Sequence, residues 1–233
     1  MKSDIKIMIE LQRYWQNILA SQVSIERHNK NIVIWQDKIK KAELKSDKTG
    51  TEVKTLKQEI KKLELELETA DEHIKKLEER RFLLKTEKEV EALENELNRI
   101  KEEDGELESN LIALMDDLDS KDTIFKQEEK EAAEMADQFI IDKKLIEEKI
   151  AGENQNIEKN QGFYDELQSQ LSASVKSRFT KLLTSKNGLA IGVIDGEVCG
   201  SCNFQVPSQI ALEASKNDQL VTCTNCGRYL YAK

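Results

Sequence analysis

The chain has 233 residues, of which 38% are hydrophobic and 35% charged, with a net charge of −9. Ordinary globular domains carry about 45–50% apolar and about 25% charged residues, so this composition excludes a single well-filled globule. No apolar run approaches the roughly 18 residues a membrane span needs. The polar start MKSDIKIMIE is unlike a signal peptide, so the expectation is a cytoplasmic protein.

From the N-terminus, Leu11, Ile18, Ile25, Ile32 and Ile39 recur seven apart, flanked by Trp15 and Trp35. Seven-residue spacing is the mark of a helix seam. KSDKTGT (45–51) carries turn chemistry in Ser46, Asp47 and Gly50 and predicts a break or kink. Val53, Leu56, Ile60, Leu63, Leu67, Ala70, Ile74 and Leu77 then alternate spacings of three and four without a miss, which predicts a coiled-coil seam. A second run, Val90, Leu93, Leu97, Ile100, Leu107, Leu111, Leu114 and Leu118, is out of phase with the first. The change of phase falls within EERRFLLKTEKE (78–89). Beyond residue 118 the pattern loosens through Phe125, Ala132, Met135, Phe139, Leu145, Ile146, Ile150 and Ile157.

A single helix of about 175 residues would be about 260 Å long. Reversal near 84–89 instead makes two arms of about 85 residues each that can bury each other's seam. The reading is a long antiparallel helical hairpin over 1–175 with a tip at Lys85, Thr86, Glu87 and Lys88. His28 and His73 lie on this rod with no second ligand nearby and read as solvated groups. The Lys/Glu runs read as solvated faces with i,i+4 pairs.

Residues 176–233 read as a linker helix and a small β domain. Ser185-Lys186-Asn187-Gly188 stops the helix, and Phe179, Leu182 and Leu183 are expected to pack the small domain against the helical end. Leu189–Ile194 is β-prone, and Asp195-Gly196 is a hairpin signal. Pro207 sits in a joining stretch, Leu220–Thr222 leads into a second corner, and Tyr229–Tyr231 leaves it. All four cysteines lie here as two Cys-x-x-Cys pairs: Cys199, Cys202, Cys223 and Cys226. Two thiolate pairs complete the tetrahedral sulfur set of a structural Zn²⁺ site. Asn203 and Gly227 follow the pairs, residue types that tolerate the left-handed backbone of such a corner. A disulfide framework suits secreted, cysteine-dense domains, and a redox reading needs only one pair, so one structural zinc ion is the stronger reading. The module is too small to bury a sufficient core alone, so the metal supplies folding energy.

GLAIGVIDGE (188–197), VCGSCNFQVPSQ (198–209) and CTNCGRYLY (223–231) resemble the bacterial family that joins a coiled coil to a four-cysteine zinc ribbon. LKTEKEVEALENEL (84–97) and LESNLIALMDDLD (107–119) are similar to that family's mid-chain signature. The chain departs from it in having Val90 where an aromatic is usual. The resemblance implies a mainly α fold, the hairpin tip near Lys85–Lys88, and zinc at Cys199, Cys202, Cys223 and Cys226. It also implies partners among sigma-54 and flagellar or type III secretion components.

Three functions follow. The first is a non-enzymatic adaptor or chaperone that binds protein partners through coiled coil and ribbon. The alternative is RNA or DNA binding by the ribbon, with Arg228 as the cation and Tyr229 and Tyr231 as stacking rings; the same three residues are candidate contacts for a protein partner. The electrostatics favour the first. Residues 1–175 hold 29 basic and 41 acidic residues, a charge of −12, and only the remainder, with seven basic against four acidic, is basic. An enzyme is the least supported, for there is no carboxylate pair, nucleophile set, phosphate loop or open metal position. The heptads leave a homodimer open.

Overall fold

The computed structural model describes residues 2–232. Helix α1 runs over Lys2–Arg81 and α2 over Glu87–Gln168, two arms of 80 and 82 residues packed together as a hairpin. A short helix, α3 (Ala173–Ser185), leads into strands β1 (Ile191–Asp195) and β2 (Val198–Cys199), helix α4 (Ser208–Lys216), and strands β3 (Val221–Thr222) and β4 (Tyr229–Tyr231). Residue 175 falls inside α3. The four strands form one sheet in the order β2-β1-β4-β3, with β1 parallel to β4 and the other pairs antiparallel. The fold is thus mainly α with a small β ribbon. Contacts divide the chain into two units: residues up to Val33 with those from Asp142 onward, and Ile34–Ile141.

In the second unit the heptad works as its spacing implies. Val53, Ile60 and Leu77 are buried and Leu56, Leu63, Leu67, Ala70 and Ile74 half-buried, while most residues between them are exposed. Leu77, Leu93, Leu97 and Ile100 close a small core against Ile74 and Leu84. Ion pairs tie the arms together at Glu78–Lys101 (2.7 Å), Lys57–Asp122 (3.3 Å), Lys45–Glu128 (3.1 Å), Arg81–Glu94 and Glu52–Lys121. Most of these groups are water-exposed, and pairs of that kind contribute about 0–1 kcal/mol each.

The reversal occupies 82–86. Lys85 and Thr86 lie in it, whereas Glu87 and Lys88 open α2. Thr86 starts that helix. Its carbonyl accepts the Val90 N–H (3.2 Å), and its hydroxyl accepts the Glu89 N–H (3.4 Å) and donates to the Glu89 carboxylate (2.6 Å). The Thr-x-x-Glu spacing is that of a capping box, here closed through the hydroxyl rather than the backbone N–H.

KSDKTGT does not break α1, which is α-helical throughout it. The polar residues are absorbed. Thr49 and Thr51 donate their hydroxyls to the carbonyls four residues back, at 3.2 and 2.9 Å. Ser46 is buried in the arm contact. Gly50 is a notch for the Phe125 ring: a Cβ there would stand 2.8 Å from Phe125 Cε2. Gly50→Ala should gain about 1 kcal/mol of helix propensity yet fail to stabilise the protein in urea unfolding. In a Phe125→Ala background the same substitution should stabilise by about that amount, a sign change a double-mutant cycle reads directly.

Candidate metal centre

In the first unit the ribbon is assembled on two identical corners. The Cys199 N–H donates to the Phe204 carbonyl (3.0 Å), and the Cys223 N–H to the Arg228 carbonyl (2.8 Å), five residues on in each case. Asn203 N–H returns to the Cys199 carbonyl (2.8 Å) and Gly227 N–H to the Cys223 carbonyl (3.0 Å). This closure needs a left-handed residue four after the first cysteine, and Asn203 (φ 59°) and Gly227 (φ 73°) provide it. The backbone N–H groups of Ser201 and Cys202 aim at the Cys199 sulfur, and those of Asn225 and Cys226 at the Cys223 sulfur. The β1–β2 turn is Gly196-Glu197, one residue later than Asp195-Gly196 suggests, because Asp195 pairs with Val198 and Gly196 takes the first turn position at φ 56°.

The four Sγ atoms lie within 4.8 Å of one another, with Cys199–Cys226 at 4.0 Å and Cys202–Cys223 at 3.8 Å. A tetrahedron with metal–sulfur bonds of about 2.3 Å has edges of about 3.8 Å. The donor set therefore fits one Zn²⁺ in a closed structural site. Cys199 and Cys223 are buried and Cys202 and Cys226 half-buried. Burial pushes the Cys199 thiol up to about 12 and raises that of Cys223. At Cys202 desolvation is outweighed by the Phe204 N–H and the neighbouring thiols, and the thiol comes down to about 7. Thiols that hold their protons above neutrality must release them to bind metal, so zinc affinity rises with pH.

The other expected contact residues, Arg228, Tyr229 and Tyr231, are engaged by the protein itself to different degrees. Arg228 is half-buried, and its Nε donates to the Leu189 carbonyl (2.7 Å) and its Nη2 to that of Lys186 (3.4 Å), where they close the end of α3. Tyr229 is only 5% exposed, in the core beneath the sheet with the Arg178 guanidinium 5.4 Å from its ring centre. Tyr231 packs against the same core. The buried Tyr229 ring cannot stack on a base, Tyr231 stays half-exposed, and Arg228 has its guanidinium occupied by the protein's own carbonyls. Phe179 and Leu183 are fully buried there, as the helix-to-ribbon packing requires. His28 is half-buried and His73 exposed.

Two features escaped the sequence reading. Helix α4 fills the stretch after Pro207, burying Ala211 and Ala214 against the sulfur core. Gln12, far away in sequence, clasps the ribbon. Its carbonyl oxygen accepts the N–H groups of Ala190 (2.7 Å) and Ile191 (2.9 Å), and its amide donates to the Ile191 carbonyl (3.1 Å). Gln12 follows Leu11, a seam residue, and nothing in the local pattern separates it from a solvated glutamine.

These elements define a helical hairpin bearing a four-cysteine zinc ribbon. Residues 198–230 match the C4-type zinc ribbon domain family. No curated protein matches the chain. Among solved structures, CT398 from Chlamydia trachomatis is similar over 99% of this chain and 96% of its own, with a TM-score of 0.83 and 22% identity. The HP0958 protein from Helicobacter pylori gives 0.60 at 19% identity over 98% and 97%. A protein from Mycobacterium smegmatis gives 0.63 at 16% over 99% of both chains. At these identities the likeness is one of fold.

Purified protein should carry one zinc per chain, released by a thiol-blocking mercurial and read with a metallochromic dye. Cys199→Ser or Cys223→Ser should abolish stoichiometric zinc, and in the intact site zinc affinity should fall steeply as pH is lowered. Zinc retained by either serine variant at wild-type affinity would refute the four-sulfur assignment.

Proposed function

We propose that the chain is a non-enzymatic adaptor that binds protein partners through its hairpin and ribbon. The observation that carries this is at the turn. Phe82 and Leu83 are 87% and 77% exposed, side by side, while Leu84 alone turns in to close the core of Leu77, Leu93, Leu97 and Ile100. Two adjacent bulky side chains that the fold does not use are suited to a partner's cleft. A C4 set leaves no coordination position for a substrate, so the ribbon serves as structure rather than as a catalytic metal centre. Among the described residues no helix is long and apolar enough to cross a membrane.

The partner proposed is sigma-54 or a flagellar or type III secretion component. That choice rests on the resemblance of the 84–119 and 188–231 motifs to the coiled-coil and zinc-ribbon family. Calorimetry with purified sigma-54 tests it. Binding of the full chain should weaken at least about tenfold in a Phe82→Ser, Leu83→Ser variant, the loss expected when an apolar anchor is removed. Helicity and zinc content should stay unchanged, since both residues are exposed. No binding by the wild-type chain rejects sigma-54, and binding indifferent to the variant rejects the turn as the anchor. Retention of nuclease-sensitive RNA or DNA by the wild-type chain would move the function to nucleic acid.

A further inference from the structure

The ribbon sheet is shared between two cores on its opposite faces. Ile194, Cys199, Val221, Cys223 and Leu230 belong to the core around the sulfurs. Ala190, Ile191 and Tyr229 belong to a second core with Ile5, Met8 and Leu11 of α1, Tyr164 of α2, and Phe179 and Leu183 of α3. Tyr229 and Leu230 are neighbours in one strand and so point to opposite faces. Neither core can keep its share of the sheet if the other loses it.

Two side chains tie the ribbon to the helices. Arg228 closes the second corner with its backbone carbonyl and holds the end of α3 with its side chain. Gln12 binds Ile191 as a neighbouring strand would, accepting its N–H and donating to its carbonyl. Gly188, at φ 77°, is pressed so close to α1 that a Cβ would stand 2.9 Å from Leu19 Cδ1 and 3.2 Å from Trp15 Cδ1. Met8 and Leu11 beneath this cover are fully buried. The sheet that covers them has strands of only two to five residues, and a domain of this size leans on its metal for folding.

We propose that the ribbon is a metal-dependent latch. While Cys199, Cys202, Cys223 and Cys226 hold an ion, the sheet keeps the apolar face of the first turns of α1 covered. When they do not, Gln12 loses its three hydrogen bonds, Ala190, Ile191 and Tyr229 leave the shared core, and the face of Ile5, Met8 and Leu11 is uncovered. The latch does not depend on which partner the adaptor takes.

Trp15 reports the state. It lies beside Gly188 and against Tyr164 (ring centres 5.6 Å apart), with its indole N–H buried and unpartnered. The chain has two tryptophans, so Trp35→Phe leaves Trp15 as the sole emitter. The test compares this full chain zinc-loaded and after exhaustive chelation, by Trp15 emission and amide hydrogen exchange. On chelation the emission should move to the red, and exchange over residues 8–19 should quicken at least about tenfold, while residues 53–77 keep their protection. Returning zinc should reverse all of it. Gln12→Leu, fully zinc-loaded, should show part of the acceleration. Exchange over 8–19 within about twofold of the loaded protein would overturn the latch, as would a loss of protection spread equally over 53–77.

Discussion

A sheet of four strands, the longest of five residues, has too little apolar surface to hold itself together, and the ordering of the first unit depends on it. Four sulfurs gathered within 4.8 Å supply one side of its support. The ends of the hairpin and α3 supply the other, through the core of Met8, Leu11, Phe179 and Leu183. The sheet is parallel at its centre, between β1 and β4. A parallel pair needs a long crossover, and the chain provides one by sending β2, the first cysteine corner, α4, β3 and the second corner out and back between them. The metal site is therefore not appended to the fold; its first corner is part of that crossover.

The hairpin follows a different economy. Long helices satisfy their own backbone groups, and their stability in water comes from packing one apolar stripe. Most of the surface of both arms stays in water, and exposed aliphatics lie along it, Leu65 and Ile112 singly and Val33–Ile34 and Ile140–Ile141 as adjacent pairs. The pair at the turn differs in being the most exposed of these, at 87% and 77%, and in lying in the reversal itself.

What the sequence made legible was whatever a strict period or a special backbone angle required. The run Val53 to Leu77 reads as a seam because each apolar residue falls on a three-four spacing, and the change of phase after it marked the reversal. Asn203 and Gly227 were legible because few residues accept their conformation. Gly50 was misread for the same reason: glycine signals both a turn and the absence of a side chain, and only the facing Phe125 decides between them. Helix α4 was hidden because nine residues give two turns and its buried face is mostly alanine. Arg228 and Tyr229 looked like a binding pair since sequence displays chemistry without displaying what the protein does with it. Gln12 was illegible altogether, its partners lying 178 and 179 positions away.

Repeating leucines have a weakness that the Gly50–Phe125 contact removes. Two arms with the same heptad can slide past each other by seven residues and still meet apolar to apolar. A slide of that size would carry the Phe125 ring from the glycine notch onto Glu43 or Lys57. The glycine thus acts as a keyway, admitting one ring at one height. It gives up helix propensity to set the alignment of the arms, which in turn decides that the chain turns back at Phe82 and Leu83 and not three or four residues to either side.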